Sequence, residues 1–381
     1  MGINKVKKNE ATKIAVIGNG SVSKDNNGFH YVENSTGELM LGLAALNYAP
    51  TFFDIEKTFI PNNDILSFVI EKNPFEYFPI QNKNVFYKIK SIFFLIRILK
   101  NYKFVYVFYP GTISTIAALI LIFLRRKFGL YLRGQFINEK RIHRIIVSKS
   151  SFILAVSQKL KIDLIKHADK TRVIRPMISV DEGDIYKRLE LTETPKIWKL
   201  LFVGRITERK GIFDLLEAAK LLNLQNFSFQ LRIVGGGDLF SYLMSRKGKK
   251  LVANNVTMVG HITEHQSLMK EYEAAHIFIQ TSHDEGFPRT LYEAMTKSLP
   301  IITTMVGGIP GVMIDGYNCK SIPTKKPKEI VQIIIQESKN LQKLNNYGLA
   351  SLETMGKVFS NKNYHHVLLE REINNLKNRN N

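Results

Sequence analysis

Cysteine is almost absent from this chain of 381 residues. The single Cys319 excludes an intramolecular disulfide framework, and the nine histidines show no Cys/His spacing of the kind a structural zinc site needs. A reducing, cytoplasmic setting is the expectation. Long apolar runs are also lacking. The longest, Ile113 to Leu124, is interrupted by Ser114 and Thr115 and closed by Arg125, Arg126 and Lys127, well short of the ~20 residues that span a bilayer. It reads as a buried helix. Residues 1 to 12 are polar, and the first apolar stretch, Ile14 to Ile17, is far shorter than a secretory core, so no signal peptide is expected. Met1-Gly2 opens like a myristoylation signal, but Val6 stands where Ser or Thr is required.

Acidic residues are scarce as well. Against 33 Asp and Glu stand 54 Lys and Arg, a formal charge of +21. Such a chain is drawn to polyanions, and nucleic acid, an anionic membrane surface and diphosphate ligands all qualify on charge alone. No helix-turn-helix, RNP-like aromatic motif or zinc spacing is present, so nucleic acid is not the expected partner. The region Phe86 to Lys100 puts Phe86, Ile89, Phe93, Ile96 and Leu99 near one helical face and Lys90, Arg97 and Lys100 on another. That pattern suits a helix lying on an anionic membrane and equally an ordinary layer helix with a solvated basic face.

What the chain has is size and rhythm. Its length and 45% hydrophobic content suffice for two cores. Short β-rich runs alternate with longer helical stretches: Lys13–Gly18, Phe104–Tyr109, Phe128–Leu132, Phe152–Val156, Leu200–Val203, Gln230–Val234, Asn255–Met258, Ile277–Gln280 and Pro300–Thr303. Their apolar residues are consecutive, as in Leu200-Leu201-Phe202-Val203, which suits parallel strands covered by helices on both faces. The prediction is an α/β chain of two doubly wound, Rossmann-like domains, 1–180 and 199–360. The linker is placed at 181–198, where Asp181, Glu182, Asp184, Glu190, Glu193 and Pro195 break the rhythm. Residues 361–381 form a polar helix with Val367, Leu368, Leu369, Ile373 and Leu376 on one side, able to cross back to the first domain.

The most informative stretch runs from Thr281 to Met295, out of a strand and into a helix, with Glu285 and Glu293 eight residues apart. Pro288 is a favoured first-turn residue, which puts Glu285 in the preceding loop with Gly286, and Glu293 about one and a half turns in. Between them the free amides of Phe287, Arg289 and Thr290 offer an anion site. Two carboxylates beside an anion site make sense for a nucleotide sugar, whose diols donate to carboxylates while the amides hold the diphosphate. An acidic helix start would look the same.

The run from Phe202 to Gly211 is again a strand, a loop and a helix. Gly204 turns the backbone, and Arg205 and Lys210 fall at the carboxyl edge of the sheet, where open α/β sheets bind ligands. They are placed to neutralise a departing diphosphate; a solvated basic loop is the bland alternative. Gly235-Gly236-Gly237-Asp238 and Val306-Gly307-Gly308-Ile309-Pro310-Gly311 are further strand-end glycine runs. Four such loops together point to one ligand site.

From Lys199 to Pro323 these residues resemble glycosyltransferase family 4, the retaining glycosyl transferases group 1 domain of GT-B fold, two Rossmann-like domains facing each other across a cleft. The resemblance implies that Arg205 and Lys210 bind the diphosphate leaving group. It gives Glu285 the hydroxyls of the transferred sugar, Glu293 the ribose, and backbone near His261 and Ile262 the base. In the first domain, Phe152 to Leu160 is similar to the family's run before its linker, and Ile17-Gly18-Asn19-Gly20 to its first glycine loop, the acceptor side. Arg133 stands where many members have histidine, and Pro310-Gly311 where Pro-Glu is common.

That resemblance implies transfer of a sugar from a nucleoside-diphosphate sugar, by default a UDP sugar, to a surface-polysaccharide or lipid-linked glycan acceptor. No cofactor and no metal are expected, since no Asp-x-Asp sequence occurs. The protein would work in the cytoplasm or at the inner face of the membrane. Rival readings are a nucleotide-sugar epimerase of the same fold, a basic polyanion-binding protein and a catalytically idle scaffold.

Overall fold

The computed structural model describes residues 11–19, 22–58, 66–73, 75–80, 85–132, 141–286 and 288–378. It divides into two compact units, Met1–Arg175 with Asn363–Asn381, and Pro176–Lys362.

The first unit opens with β1 (Thr12–Ile17), β2 (Val22–Lys24), β3 (His30–Glu33), α1 (Asn34–Ala45) and β4 (Tyr48–Thr58). Next come β5 (Leu66–Val69), β6 (Glu76–Ile80), α2 (Val85–Asn101), β7 (Phe104–Tyr109) and α3 (Thr112–Phe123). Then follow β8 (Gly129–Leu132), α4 (Arg141–Lys149), β9 (Phe152–Ala155), α5 (Gln158–Asp163) and β10 (Thr171–Val173). The strands run in the order β10-β9-β8-β7-β1-β4-β2-β3-β5, with β6 also on β4. From β10 to β4 every pairing is parallel. All residues of β7, β8 and β9 are buried, as consecutive apolar residues between two helical layers should be.

The second unit alternates strand and helix through its first eight elements: β11 (Trp198–Val203), α6 (Ile212–Leu224), β12 (Phe229–Val234), α7 (Phe240–Met244), β13 (Val256–Gly260), α8 (His265–Ala274), β14 (Ile277–Gln280) and α9 (Arg289–Thr296). It continues through β15 (Ile301–Thr304), β16 (Lys320–Ile322), α10 (Pro327–Ser338) and α11 (Leu341–Ser360). The sheet is wholly parallel in the order β13-β12-β11-β14-β15-β16. The chain therefore winds outward from β11 one way and from β14 the other, which leaves a topological switch point between those two strands. Cores on both sheet faces, around Phe202 and Ile233 and around Phe278 and Ile301, hold it together. Each large apolar side chain fully buried there contributes about 1.5–3 kcal/mol.

Three expectations are corrected. The stretch 181–198 is not a free linker, because it packs on the second unit: Tyr186 N donates to Thr296 O (3.0 Å), Arg188 N to Ser298 Oγ (2.7 Å) and Leu191 N to Asn345 Oδ1 (3.0 Å). Its polar composition is compatible with backbone pairing, so composition alone misplaced the boundary. Ile113–Leu124 is buried on one face only; Ala117, Ala118 and Leu121 point inward while Phe123 is 86% exposed. Among the described side chains of α2, Leu95 and Leu99 are buried and Phe93 is exposed instead of sharing their face, while those of Phe86 and Ile89 lie outside the described set. Leu95 and Leu99 stand one helical turn apart, and Phe93 falls outside that narrower stripe. The last helix, α12 (His365–Asn378), belongs to the first unit and buries Leu368, Leu369, Ile373 and Leu376. No helix of the described residues is long and apolar enough to cross a membrane.

Candidate functional site

Five loops leave the carboxyl ends of β11 to β15 and are tied to one another by backbone bonds. After β11, Gly204 N donates to Val234 O (3.0 Å) and Ile206 N to Gly236 O (2.7 Å). Gly235 N reaches Gly260 O at 2.8 Å, immediately before His261 and Ile262. These contacts bring Gly204, Arg205, Gly235, Gly236, His261 and Ile262 to one edge of the sheet.

Across the switch point, the loop after β14 is laced to the loop after β11. Thr281 Oγ1 donates to Gly211 O (2.9 Å), His283 N to Arg209 O (2.8 Å), and the Arg209 guanidinium to Asp284 (2.7 Å). The His283 ring also meets the Asp214 carboxylate at 2.7 Å. Gly211 is in the left-handed region (φ 66°), and a Cβ there would lie 2.0 Å from Thr281 O, so glycine permits this approach. The result sets Lys210 beside Glu285, and its ammonium donates to Glu285 Oε2. Glu285 is 6% exposed and its Lys210 partner half-buried. A buried carboxylate needs such a partner.

The other side of that loop rests on the loop after β15. Gly308 N donates to Glu285 O (2.8 Å) and Thr304 Oγ1 to Ser282 O (2.7 Å). Gly307 has φ 55°, and a Cβ on it would stand 1.8 Å from Glu285 O.

Arg289 begins α9 and Pro288 is its N-cap, one position earlier than the first-turn place expected for it. The amides of Arg289 and Thr290 are first-turn groups with no partner inside their own helix. Phe287 lies outside the described residues, as do Gly20 and Arg133. Glu293 is the fifth residue of α9 and buried, accepting from Tyr272 Oη (2.6 Å) and Ser179 Oγ (3.2 Å). Burial pushes its carboxyl above the usual carboxylate range, against the lowering effect of the Tyr272 and Ser179 hydrogen bonds and of the Arg289 charge. Burial likewise holds the Tyr272 phenol well above its ordinary value, so it stays a donor.

Reasoning from sequence missed Gln280. It closes the apolar strand Ile277-Phe278-Ile279, is 2% exposed, and donates through Nε2 to Glu285 Oε2 (2.9 Å) and Ser282 Oγ (3.2 Å). Its Oε1 has no hydrogen-bond partner among the described residues. The available signal was a glutamine where a buried strand wants an aliphatic residue. Tyr272, Ser179 and the His283–Asp214 pair were missed for lack of any local signal.

In the first unit Gly18 directly follows β1, its N–H donating to Phe53 O at 2.7 Å. The neighbouring Asp54 is fully buried, with its carboxylate where a Gly18 Cβ would go. No group of three or more His, Cys, Asp or Glu side chains is arranged to hold a metal among the described residues.

The second unit is thus a doubly wound α/β unit whose switch point carries a carboxylate–ammonium pair, a helix start and a second buried carboxylate. Residues 186–351 match the family described as Glycosyl transferases group 1. The matched stretch lies within the second unit, and the chain has the GT-B fold.

The chain is 32% identical to TuaC of Bacillus subtilis over 189 residues, 47% of this chain and 44% of that protein. It is 25% identical to the capsular polysaccharide biosynthesis glycosyltransferase CapM of Staphylococcus aureus over 229 residues, 54% of this chain and 59% of CapM. The chain thus spans about half the length of the curated relatives it matches. A glycosyltransferase structure from Rickettsia africae superimposes with a TM-score of 0.71, covering 97% of this chain and 100% of that one at 19% identity. Anabaena HepE in complex with UDP gives 0.66 over the same shares at 16% identity.

Proposed function

We propose that the protein is a retaining, metal-independent glycosyltransferase that moves a sugar from a nucleoside-diphosphate sugar to a surface-polysaccharide or lipid-linked glycan acceptor. The observation that carries the reading is the Lys210–Glu285 pair at the switch point, beside the start of α9 and with Glu293 buried further along that helix. CapM, named for capsular polysaccharide biosynthesis, supports the acceptor class, and HepE in complex with UDP supports a UDP sugar as donor.

In this reading the bond from the anomeric carbon to the phosphate oxygen breaks while the acceptor oxygen bonds the same carbon on the same face. The acceptor's proton goes to the departing phosphate oxygen. Arg205, Lys210 and the Arg289 and Thr290 amides stabilise the charge that collects on the diphosphate. Glu285 holds sugar hydroxyls, and Glu293, given up by Tyr272 or sharing with it, accepts from the ribose.

Thermal shift with nucleoside diphosphates and nucleotide sugars, with and without EDTA, tests this. The expected result is a selective stabilisation insensitive to EDTA and lost in Glu293→Ala and Lys210→Ala. At a hundredfold excess over Kd it amounts to about 2.7 kcal/mol. No stabilisation by any nucleotide would sink the reading and favour the polyanion-binding one.

A further inference from the structure

In the first unit, β7, β8, β9 and β10 are successive neighbours, each joined to the next by a parallel crossover through one helix. Right-handed crossovers stepping the same way put α3, α4 and α5 on one face of the sheet. α2 packs on α3, and α3 on α4. A groove of about 520 Å³ runs between α4 and the turn after α5, lined by Arg144, Ile145, Ser148, Ile165 and Lys166 among others.

The inner side of this layer is ordinary core, with Leu121, Ile146, Val147, Leu160 and Leu164 buried. The outer side is not an ordinary surface. Phe123 at the end of α3, Ile162 on α5 and Ile165 just beyond it are 86%, 67% and 74% exposed, with Ile142 and Ile145 exposed on α4 between them. Single exposed apolar residues need no explanation, but a set on neighbouring helices does. Cations surround them: Arg125 and Lys127 after α3, Arg141, Arg144 and Lys149 on α4, and Lys166 beyond α5. Asp163 and Asp169 are the acidic residues exposed among them.

We propose that this face docks the protein on an anionic lipid bilayer, with the apolar side chains entering the boundary between headgroups and acyl chains and the arginines and lysines meeting lipid phosphates. Charge selects the occupant. A second copy of the same face would bring cation against cation, and a nucleic acid would leave Phe123, Ile162 and Ile165 in water. Apolar residues ringed by cations are what a monotopic surface requires. The inference stands on this surface and is independent of the donor chemistry.

The test is flotation of the full chain with vesicles of phosphatidylcholine alone or mixed equally with phosphatidylglycerol. Binding is expected only to the mixed vesicles and to weaken with salt. Arg141→Glu with Arg144→Glu should lower the partition coefficient more than about tenfold, since each basic residue near such a surface is worth about fivefold. Phe123→Ser with Ile165→Ser should lower it by about tenfold or more. Lys249→Glu with Lys250→Glu, the same charge change on an exposed turn of the second unit, should leave it within about twofold. The substituted side chains are exposed, so unfolding midpoints should stay close to that of the parent protein. Equal losses in the two charge-reversal variants would overturn the proposal, assigning binding to net charge alone. Unchanged binding in the first two would overturn it as well. So would a concentration-dependent dimer, seen by sedimentation and abolished by the Phe123 and Ile165 changes, which would make the face a self-interface.

Discussion

Gln280 sits at the end of β14 with one half of its amide engaged and the other idle. Its Nε2 donates to Glu285 and Ser282, while its Oε1 is buried without a partner among the described residues. An unpaired buried acceptor is destabilising by about 1–3 kcal/mol, and a hydrogen bond to a charged group returns about as much. The two terms oppose, so Gln280→Leu should change unfolding stability by less than about 1 kcal/mol. Its effect on the proposed transfer is one-sided. Glu285 would keep Lys210 but lose the donor that fixes its second direction, and a carboxylate left to rotate binds sugar hydroxyls less well. Transfer rate should fall at least about tenfold, while affinity for the free nucleoside diphosphate stays unchanged. Steady-state kinetics beside calorimetric titration would show the split; equal loss in both would mean that Gln280 shapes the whole loop rather than Glu285.

At the scale of elements, the site is a set of loops pressed together backbone to backbone, and Gly307 marks the tightest approach. Gly307→Ala meets two obstacles, a left-handed backbone and a Cβ only 1.8 Å from Glu285 O. Gly316 is an internal control, with φ 77° and nothing within 4 Å of its added Cβ. Gly316→Ala should be destabilising by about 1–2 kcal/mol through backbone conformation alone. Gly307→Ala should exceed that by a further ~1–3 kcal/mol and displace Glu285. Denaturant titration reads the first difference, and nucleotide-sugar affinity, lowered only by the Gly307 change, reads the second.

The same scale explains what the sequence made legible. β7, β9, β11 and β14 were readable because both of their faces are buried and their apolar residues are consecutive. β4 was not: Pro50, Asp54, Glu56 and Lys57 break its run, yet it pairs with β1 along one half and with β2 along the other. Glu285 and Glu293 announced themselves by spacing within one loop and helix. Ser179, which holds Glu293 from 114 positions away, did not, because only the tertiary fold joins them.

For the whole molecule, chain connectivity makes the two units unequal. The second is continuous, Pro176–Lys362, whereas the first is left at Arg175 and re-entered at Asn363, where Arg175 N donates to Asn363 O at 2.7 Å. A segment whose flanking residues meet in this way is expected to fold when excised. Residues 176–362 should therefore give a cooperative thermal transition by circular dichroism and keep the nucleotide response proposed above. Residues 1–175 should not fold, because they lack α12. That helix buries Leu368, Leu369, Ile373 and Leu376 and sets His365 against the Tyr106 hydroxyl at 2.7 Å. At about 1.5–3 kcal/mol for each of these large apolar side chains, its loss is comparable with the entire 5–15 kcal/mol stability of a typical domain. Joining 363–381 to 1–175 through a short Gly/Ser linker should restore folding, since the two ends already meet. Limited proteolysis separates the outcomes: protection of the rejoined chain but not of 1–175 assigns α12 to the first unit's core, and equal protection of both would make the helix dispensable to it.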